Sequence, residues 1–450
     1  MATNPRVDPA TDLIVPEPPR LPSAPQAWDM VFQEQYSNVL RLYFNRLQNL
    51  LQELTVPGDT PIYPGGTAAD AFGRLRTSDP FTIFDSQNRF QADPQFDESL
   101  TAGATSTYSA ADSSVTLALD GTASESAVRQ TYRVFPYQPG KSLLVLATFS
   151  MSAAVDGVET KIGYFDGTNG VYFRRSGSTL YFEIMKNGSV AESVAQASWN
   201  GDKMDGTGAS AVTLDPTKTQ ILYIDMEWLG VGTVRCGFVQ DGLTYVCHSF
   251  HHANTFSTVY MTTATLPVRY EIEDSAGAGD PSSLQQICST VMSEGGYDQK
   301  SAPIWARRTT LMAATTSFQP IVSIQIKSGS GGAVVIPSQF TALPVGSVLD
   351  YEVALIKNPT LTGASFTSNS LNVDYDVTAT ALTGGTIVST TFISSSNQGS
   401  TTLDQGSEYN FDLQLGVDLS GTSDIYTLAA RTLSGSDDII GALSYYDLTD

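Results

Sequence analysis

A predicted strand with two acidic side chains on one face lies near the middle of the chain. Tyr223, Asp225 and Glu227 alternate there with apolar side chains, within the stretch 221–252. Because successive strand side chains point to opposite faces, these three share one face, which we expect to be polar and exposed. Paired carboxylates of this kind could carry out general acid/base chemistry or form a structural acidic pair.

The run IDMEWLG at 224–230 resembles the active-site strand of the concanavalin-like β-glucanases and agarases, whose pattern is Glu, apolar, Asp, apolar, Glu. The resemblance implies that Asp225 matches the tuning aspartate and Glu227 the acid/base residue. Tyr223 stands at the nucleophile position, and a tyrosine cannot form the glycosyl-enzyme ester of the retaining mechanism in that way. We therefore expect no catalytic residues and a non-enzymatic protein. Tyr223, Asp225 and Glu227 remain candidates for a sugar-binding groove or a structural pair.

All three histidines, His248, His251 and His252, lie just downstream. On a strand, His248 and His252 share a face while His251 points away, and no Cys, Asp or Glu in the adjacent sequence completes a metal-ligand set. We expect structural or interface imidazoles, and neither a metal nor a cofactor.

The three cysteines form an odd set, which does not indicate a disulfide framework. Asp241-Gly242 is a two-residue hairpin signal, and counting back from it places Phe238 opposite Tyr245 and Cys236 opposite Cys247. That register predicts a hydrogen-bonded pair position, where the Cα atoms are farther apart. We therefore expect reduced, buried thiols rather than a bridge.

Short apolar or alternating runs separated by turn signals follow one another through most of the chain. The first set extends from SVTLALD at 114–120 to LPVRYEIE at 266–273, and includes VYMTT at 259–263. The second extends from PIVSIQIKS at 320–328 to IIGALSYYDL at 439–448, and includes YNFDLQLGVDL at 409–419. This pattern predicts a mainly β protein, with a concanavalin-like jelly-roll domain over 71–302 and a smaller C-terminal β-sandwich over 303–450. Tight turns are expected at 166–170, 176–177 and 187–188.

The first 70 residues have a different character. Residues 1–27 are rich in proline and should form an extended arm that a partner must order. Residues 28–70 contain a helix and a linker, and an apolar stripe with spacings of 4, 3, 4, 3 and 4 runs through Tyr36, Leu40, Tyr43, Leu47, Leu50 and Leu54. This stripe is consistent with two structures: an amphipathic helix docked on its own domain, or a short helical bundle between identical subunits. The bundle is favoured because the flanking arm and loop offer nothing local to pack on.

The overall charge excludes some partners. With 24 basic and 46 acidic residues the formal charge is −22, which argues against a nucleic-acid partner. The sequence has neither an apolar run long enough to span a membrane nor a secretory signal region, so we expect synthesis and assembly in a cytoplasm-like compartment.

Several long sequence segments of the chain resemble a virion structural protein of tailed bacteriophages, especially those of aquatic bacteria and cyanobacteria. They include YSNVLRLYFNRLQNLLQEL, AFGRLRTSDPFTIFDS, WNGDKMDGTG and CHSFHHAN. The resemblance implies a tail or neck fibre or appendage, most often trimeric, with a lectin-like jelly roll. The arm would bind other virion proteins. The two sandwiches would face outward, where binding of host-surface glycan is one further role that the resemblance allows. The alternatives are a capsid head fibre or decoration protein and, in another class, a polysaccharide-degrading glycosidase.

Overall fold

The computed structural model describes Leu40 and residues 80–274, 277, 279–298, 301–346, 349–395, 401–404 and 410–449. From residue 80 onward the described residues form strands, short 3₁₀ turns and loops, so the predicted mainly β class is confirmed. The predicted arm, linker and oligomerising stripe lie outside the described residues apart from Leu40, whose backbone is helical. Within the described part, no helix has the length and apolar character to cross a bilayer.

The first β-sandwich contains fifteen strands among the described residues. They are β1 (Phe81–Gln87), β2 (Phe96–Thr101), β3 (Thr105–Ser109), β4 (Ser114–Leu119), β5 (Glu125–Thr131), β6 (Ser142–Met151), β7 (Val158–Phe165), β8 (Gly170–Ser176), β9 (Thr179–Lys186), β10 (Ser189–Ala195), β11 (Gln220–Met226), β12 (Val234–Gln240), β13 (Leu243–Phe250), β14 (Val268–Asp274) and β15 (Ser282–Glu294). A 3₁₀ turn, Gln196–Ser198, follows β10.

Two antiparallel sheets form this sandwich. One has the order β13-β12-β11-β6-β15-β4-β3, with β1 also paired to β15, and the other has the order β10-β9-β8-β7-β14-β5-β2. Each sheet interleaves strands from distant parts of the chain, as a jelly roll does. The long strand β15 lies inside its sheet because β6 pairs along one side, while β4 and β1 share the other.

Aromatic side chains fill much of the space between the two sheets. Phe173 lies 5.8 Å from Phe149, 5.6 Å from Phe182 and 5.2 Å from Phe238, measured between ring centroids. All four rings are fully buried. Alternation along the strands directs these residues inward, and tilted or edge-to-face ring packing adds to the stabilisation from their burial.

The second β-sandwich follows after Glu294. Its strands are β16 (Ile304–Ala314), β17 (Gln319–Ile326), β18 (Val335–Val345), β19 (Asp350–Lys357), β20 (Thr360–Thr362), β21 (Thr367–Ser368), β22 (Val373–Asp376), β23 (Ala381–Thr383), β24 (Thr386–Ser394), β25 (Thr401–Asp404), β26 (Ile425–Thr432) and β27 (Asp437–Asp447). They form sheets of order β16-β27-β18-β25 and β21-β22-β17-β26-β19-β24, and β20 pairs with β23. A 3₁₀ turn spans Phe411–Leu413.

Two apolar runs predicted as strands are loops instead. Residues 259–263 form a loop whose Tyr260 and Met261 are almost completely buried, and most of 409–419 is non-strand with Phe411 and Leu415 buried. An apolar run signals burial, and a loop that packs under a sheet edge buries its side chains just as a strand does. Conversely, the sequence pattern did not predict β15 as a strand, because Ser, Gln and Thr interrupt its apolar residues.

A buried joint connects the two sandwiches. The Arg133 guanidinium, 6% exposed, donates to the Phe411 carbonyl and to Gln95 Oε1. The Phe411 ring packs 6.0 Å from Phe81 and 5.0 Å from Tyr297, centroid to centroid. A guanidinium offers five donors in a fixed plane, so it satisfies acceptors on both sides of the contact at once.

Two further hydrogen bonds, one from a side chain and one from the backbone, extend this joint along residues 410–419. Gln414 Nε2 donates to the Val134 carbonyl at 2.8 Å, and the Val417 N–H donates to the Tyr132 carbonyl at 2.9 Å. A Cβ at Gly416 would lie 2.7 Å from Tyr132 Cβ, so the close approach requires glycine. The described residues of both sandwiches accordingly belong to one compact unit. The sheets change between Glu294 and Ile304, and the division into independent domains at 302/303 stays a prediction.

Candidate functional site

The acidic strand predicted as the site is β11, between β6 and β12. Its Leu222, Ile224 and Met226 enter the core, so Tyr223 and Asp225 share the opposite face, as alternation predicts. The prediction that this face is exposed is wrong, because Tyr223 is 2% exposed and Asp225 is fully buried.

Hydrogen bonds from two neighbours hold the buried Asp225 carboxylate. The Tyr223 hydroxyl donates to Asp225 Oδ2 at 2.9 Å, and Arg235 Nη2 lies 2.9 Å from the same oxygen. Arg235 stands directly across from Asp225 on β12. A buried carboxylate is tolerated when a cation and a hydroxyl compensate its lost hydration, which explains why the acidic face can be closed.

Glu227 lies just beyond the end of β11 and is half-buried. Its N–H donates to the Thr233 carbonyl at 2.9 Å, and its carbonyl accepts from the Tyr260 hydroxyl at 3.0 Å. The strand ends here, so the backbone of Glu227 closes the turn into β12 instead of extending the sheet. The three predicted residues are thus neighbours in space, and two of them belong to a closed ion-pair cluster.

A one-residue bulge changes the predicted register of the β12–β13 hairpin. Phe238 pairs with Tyr245 as predicted, whereas Cys236 pairs with His248 and not with Cys247. The shift falls between Cys236 and Gly237, where two residues of β13 oppose one of β12. Both cysteines are free and buried, and burial raises the pKa of each thiol. Inert thiols of this kind act as small apolar side chains.

His248 is a buried hydrogen-bond acceptor. Its Nδ1 accepts from the Asn200 N–H at 3.3 Å, and its ring packs edge to face against Phe250, with 4.5 Å between the ring centroids. Burial lowers the pKa of His248 to about 4, so its ring is neutral at neutral pH. His251, by contrast, is exposed.

His252 is fully buried and connects three parts of the first sandwich. Its Nδ1 contacts the Gly232 carbonyl, and its Nε2 lies 2.8 Å from Glu192 Oε1 on β10. The ring stacks on Tyr260 at 4.0 Å between centroids. Among the described residues, no group of three or more His, Cys, Asp or Glu side chains could hold a metal ion. The contacts with Gly232, Glu192 and Tyr260 make His252 a structural connector within the first sandwich.

The predicted turn at 166–170 joins β7 to β8. Asp166 Oδ1 accepts from the Thr168 and Asn169 N–H groups at 2.6 and 2.7 Å, so the carboxylate is used within the turn. The turns at 176–177 and 187–188 likewise connect β8 to β9 and β9 to β10. Arg235 and Glu192 were missed by the sequence reasoning, because the signal for each is a cross-strand pairing that depends on register.

Comparisons with known proteins give structural similarity only. Neither a family model nor a curated protein matches the chain. Among solved structures, a protein of unknown function from Shewanella oneidensis aligns at 13% identity over 51% of this chain and 93% of its own, with a TM-score of 0.33. A Bacillus licheniformis β-glucanase aligns at 11% identity over 48% and 98%, with a TM-score of 0.32. Peanut lectin aligns at 12% identity over 48% and 98%, with a TM-score of 0.30.

The sheets themselves define the class of the chain. It is a mainly β protein in which a jelly-roll sandwich is followed by a smaller β-sandwich. Strands β11 and β12 together contribute a buried cluster of Tyr223, Asp225 and Arg235 to the face of their sheet that points away from the core.

Proposed function

We propose that this chain is a non-enzymatic structural protein of a tailed-phage particle: a tail or neck fibre or appendage with an adhesive role toward host-surface glycan. The observation that carries the non-enzymatic part is the fully buried Asp225 carboxylate, paired with Arg235. The virion part rests on the long phrases that resemble phage structural proteins, and on the arm and apolar stripe of the first 70 residues.

The closed cluster supports the non-enzymatic part of the proposal through the requirements of retaining glycoside hydrolysis. That mechanism requires a nucleophile and an acid/base residue that flank the scissile bond about 5 Å apart. At β11 the nucleophile position is Tyr223, whose hydroxyl is engaged by Asp225. Asp225 has no exposed surface for a sugar ring to contact, which supports a role for its carboxylate in packing the sheet.

The buried joint between the sandwiches supports a mechanical role. An appendage transmits a contact at its tip to the particle only if its parts keep their relative orientation. Arg133, Phe411 and Gln414 provide such a coupling through buried hydrogen bonds and ring packing. Flexible linkers between independent domains would not transmit force in this way.

Attachment and oligomeric state complete the proposal. The proline-rich arm at 1–27 binds another virion protein, and the stripe from Tyr36 to Leu54 joins three copies. A capsid head fibre or decoration protein would use the same layout, so copy number per particle separates the two. A fibre is present in few copies, and a decoration protein in numbers that follow the capsid symmetry.

The test combines a particle measurement with an activity measurement. An antibody to the second sandwich should label purified particles at the tail or neck, and a density map should show three copies per fibre. Purified full-length protein should release no reducing sugar from β-glucan, agarose or host polysaccharide. Absence of the chain from particles would refute the virion assignment. Hydrolysis that Glu227→Gln abolishes would refute the non-enzymatic assignment.

A further inference from the structure

An open groove with an aromatic wall lies at one edge of the second sandwich, far along the chain from the acidic strand. It has a volume of about 660 Å³ and is lined, among the described residues, by Trp305, Arg307, Thr309, Asn369, Tyr375 and Ala442. One wall is the edge strand β16, and the other is the β21–β22 edge of the facing sheet. This volume falls in the range of sites that bind small ligands.

The side chains of β16 are arranged so that three consecutive outward positions line the groove. Trp305, Arg307 and Thr309 are exposed, while Ala306 between them is fully buried in the core. Across the strand pair, Arg307 faces Ala442 of β27. The methyl group of Ala442 is too small to fill the space beside the guanidinium, so the groove remains open there.

Trp305 differs from the two other tryptophans of the described chain. The indole N–H groups of Trp199 and Trp228 donate to backbone carbonyls at 3.1 and 3.2 Å. Trp305 is 37% exposed, and its indole has no hydrogen-bond partner among the described residues. An exposed indole on a strand is a flat apolar surface with a polar N–H at its rim, which suits a ligand that has one apolar face and a hydroxyl edge.

Arg307 is the second unengaged group. Of the arginine side chains in the described residues, that of Arg307 alone has no hydrogen bond, ion pair or ring contact with another described residue. The described residues that line the groove include no carboxylate, and Asp376, next to Tyr375 on β22, is buried and accepts from the Ser365 and Ala379 N–H groups. In a chain with a formal charge of −22, this guanidinium offers an unusual local attraction for an anion.

We infer that this groove binds an acidic saccharide, with a pyranose ring stacked on Trp305 and its carboxylate held by Arg307. The planar guanidinium matches a carboxylate with two parallel hydrogen bonds, and Thr309 and Tyr375 offer hydroxyls to the remaining sugar oxygens. The inference rests on the adhesive part of the proposed function and moves the glycan site from Tyr223, Asp225 and Glu227 to the second sandwich. Several copies on one fibre would raise weak single-site binding through avidity.

The experiment is calorimetric titration of the full-length protein with trigalacturonate, and with its fully methylated ester as the uncharged match. We expect saturable binding of the acid and at least about tenfold weaker binding of the ester, because a charge-assisted hydrogen bond is lost. Trp305→Ala and Arg307→Gln should each weaken the acid at least about tenfold. Phe392→Ala, which removes an exposed ring from β24 at the opposite edge of the facing sheet, should bind like the wild type.

Three results would overturn the inference. They are equal binding of acid and ester, unchanged binding by both Trp305→Ala and Arg307→Gln, and no binding of trigalacturonate, whether or not dextran sulfate binds. Both groove residues are exposed, so the variants should fold, and equal urea midpoints would verify this. If the protein enters particles but does not bind trigalacturonate, only the inference of saccharide binding in the groove is refuted. If the protein binds trigalacturonate but is absent from particles, only the virion assignment is refuted.

Discussion

Acidification should destabilise the fold through His248. Burial lowers the pKa of His248 to about 4 in the folded chain, whereas the unfolded chain has the ordinary value of about 6.5. Between these values the unfolded state binds more protons, so the stabilisation from His248 is complete above about pH 6.5 and is lost as the pH falls towards 4. At about 1.4 kcal/mol per pH unit, the loss is of the order of 3 kcal/mol.

The matching variant is His248→Asn. An asparagine Oδ1 can take the place of Nδ1 as acceptor for the Asn200 N–H, but it does not titrate. Urea unfolding followed by tryptophan fluorescence should show that the wild type loses about 3 kcal/mol more free energy of unfolding between pH 7 and pH 4 than the variant does. Carboxylates that titrate in this range contribute to both proteins and cancel in the comparison.

His251→Asn is the control, because it removes an exposed imidazole and keeps the burial that is the largest cause of the low pKa of His248, so most of the wild-type loss should remain. Equal losses of unfolding free energy in the wild type and His248→Asn would refute the reasoning. Such a result would mean that water or an anionic partner solvates the imidazolium in the folded state.

Three further predictions concern packing and assembly. Asp225→Asn should lower the free energy of unfolding by about 1.5–3 kcal/mol, since it removes the charge from hydrogen bonds in a buried cluster; an unchanged urea midpoint would contradict a structural role. Phe411→Ala should cost about 3–5 kcal/mol and speed proteolysis between the sandwiches, because the joint loses its central ring; digestion at the wild-type rate would argue against the joint. Replacing Leu40, Leu47 and Leu50 with Asp should yield monomers by mass measurement, because unpaired charges cannot be buried in a helical seam; a surviving trimer would exclude the bundle.

Local pattern was sufficient to predict the fold class and much of the hairpin layout. Alternation assigned Leu222, Ile224 and Met226 to one face of β11, and the turn dipeptides located the β7–β8, β8–β9, β9–β10 and β12–β13 hairpins. These features depend on residues a few positions apart, where side-chain direction and turn geometry act directly. The same information placed Phe238 opposite Tyr245.

Features that depend on distant contacts could be decided only by the tertiary structure. The bulge beside Gly237 moved Cys236 opposite His248, and no turn count could foresee it. Asp225 was expected at the surface, because its sequence neighbours do not show that Arg235 would lie across from it. The groove likewise joins Trp305 to Tyr375 from strands of different sheets. Burial, ion pairing and groove formation arise when strands distant in sequence pack together, so the alternation of one strand determines which face a side chain occupies but not what covers that face.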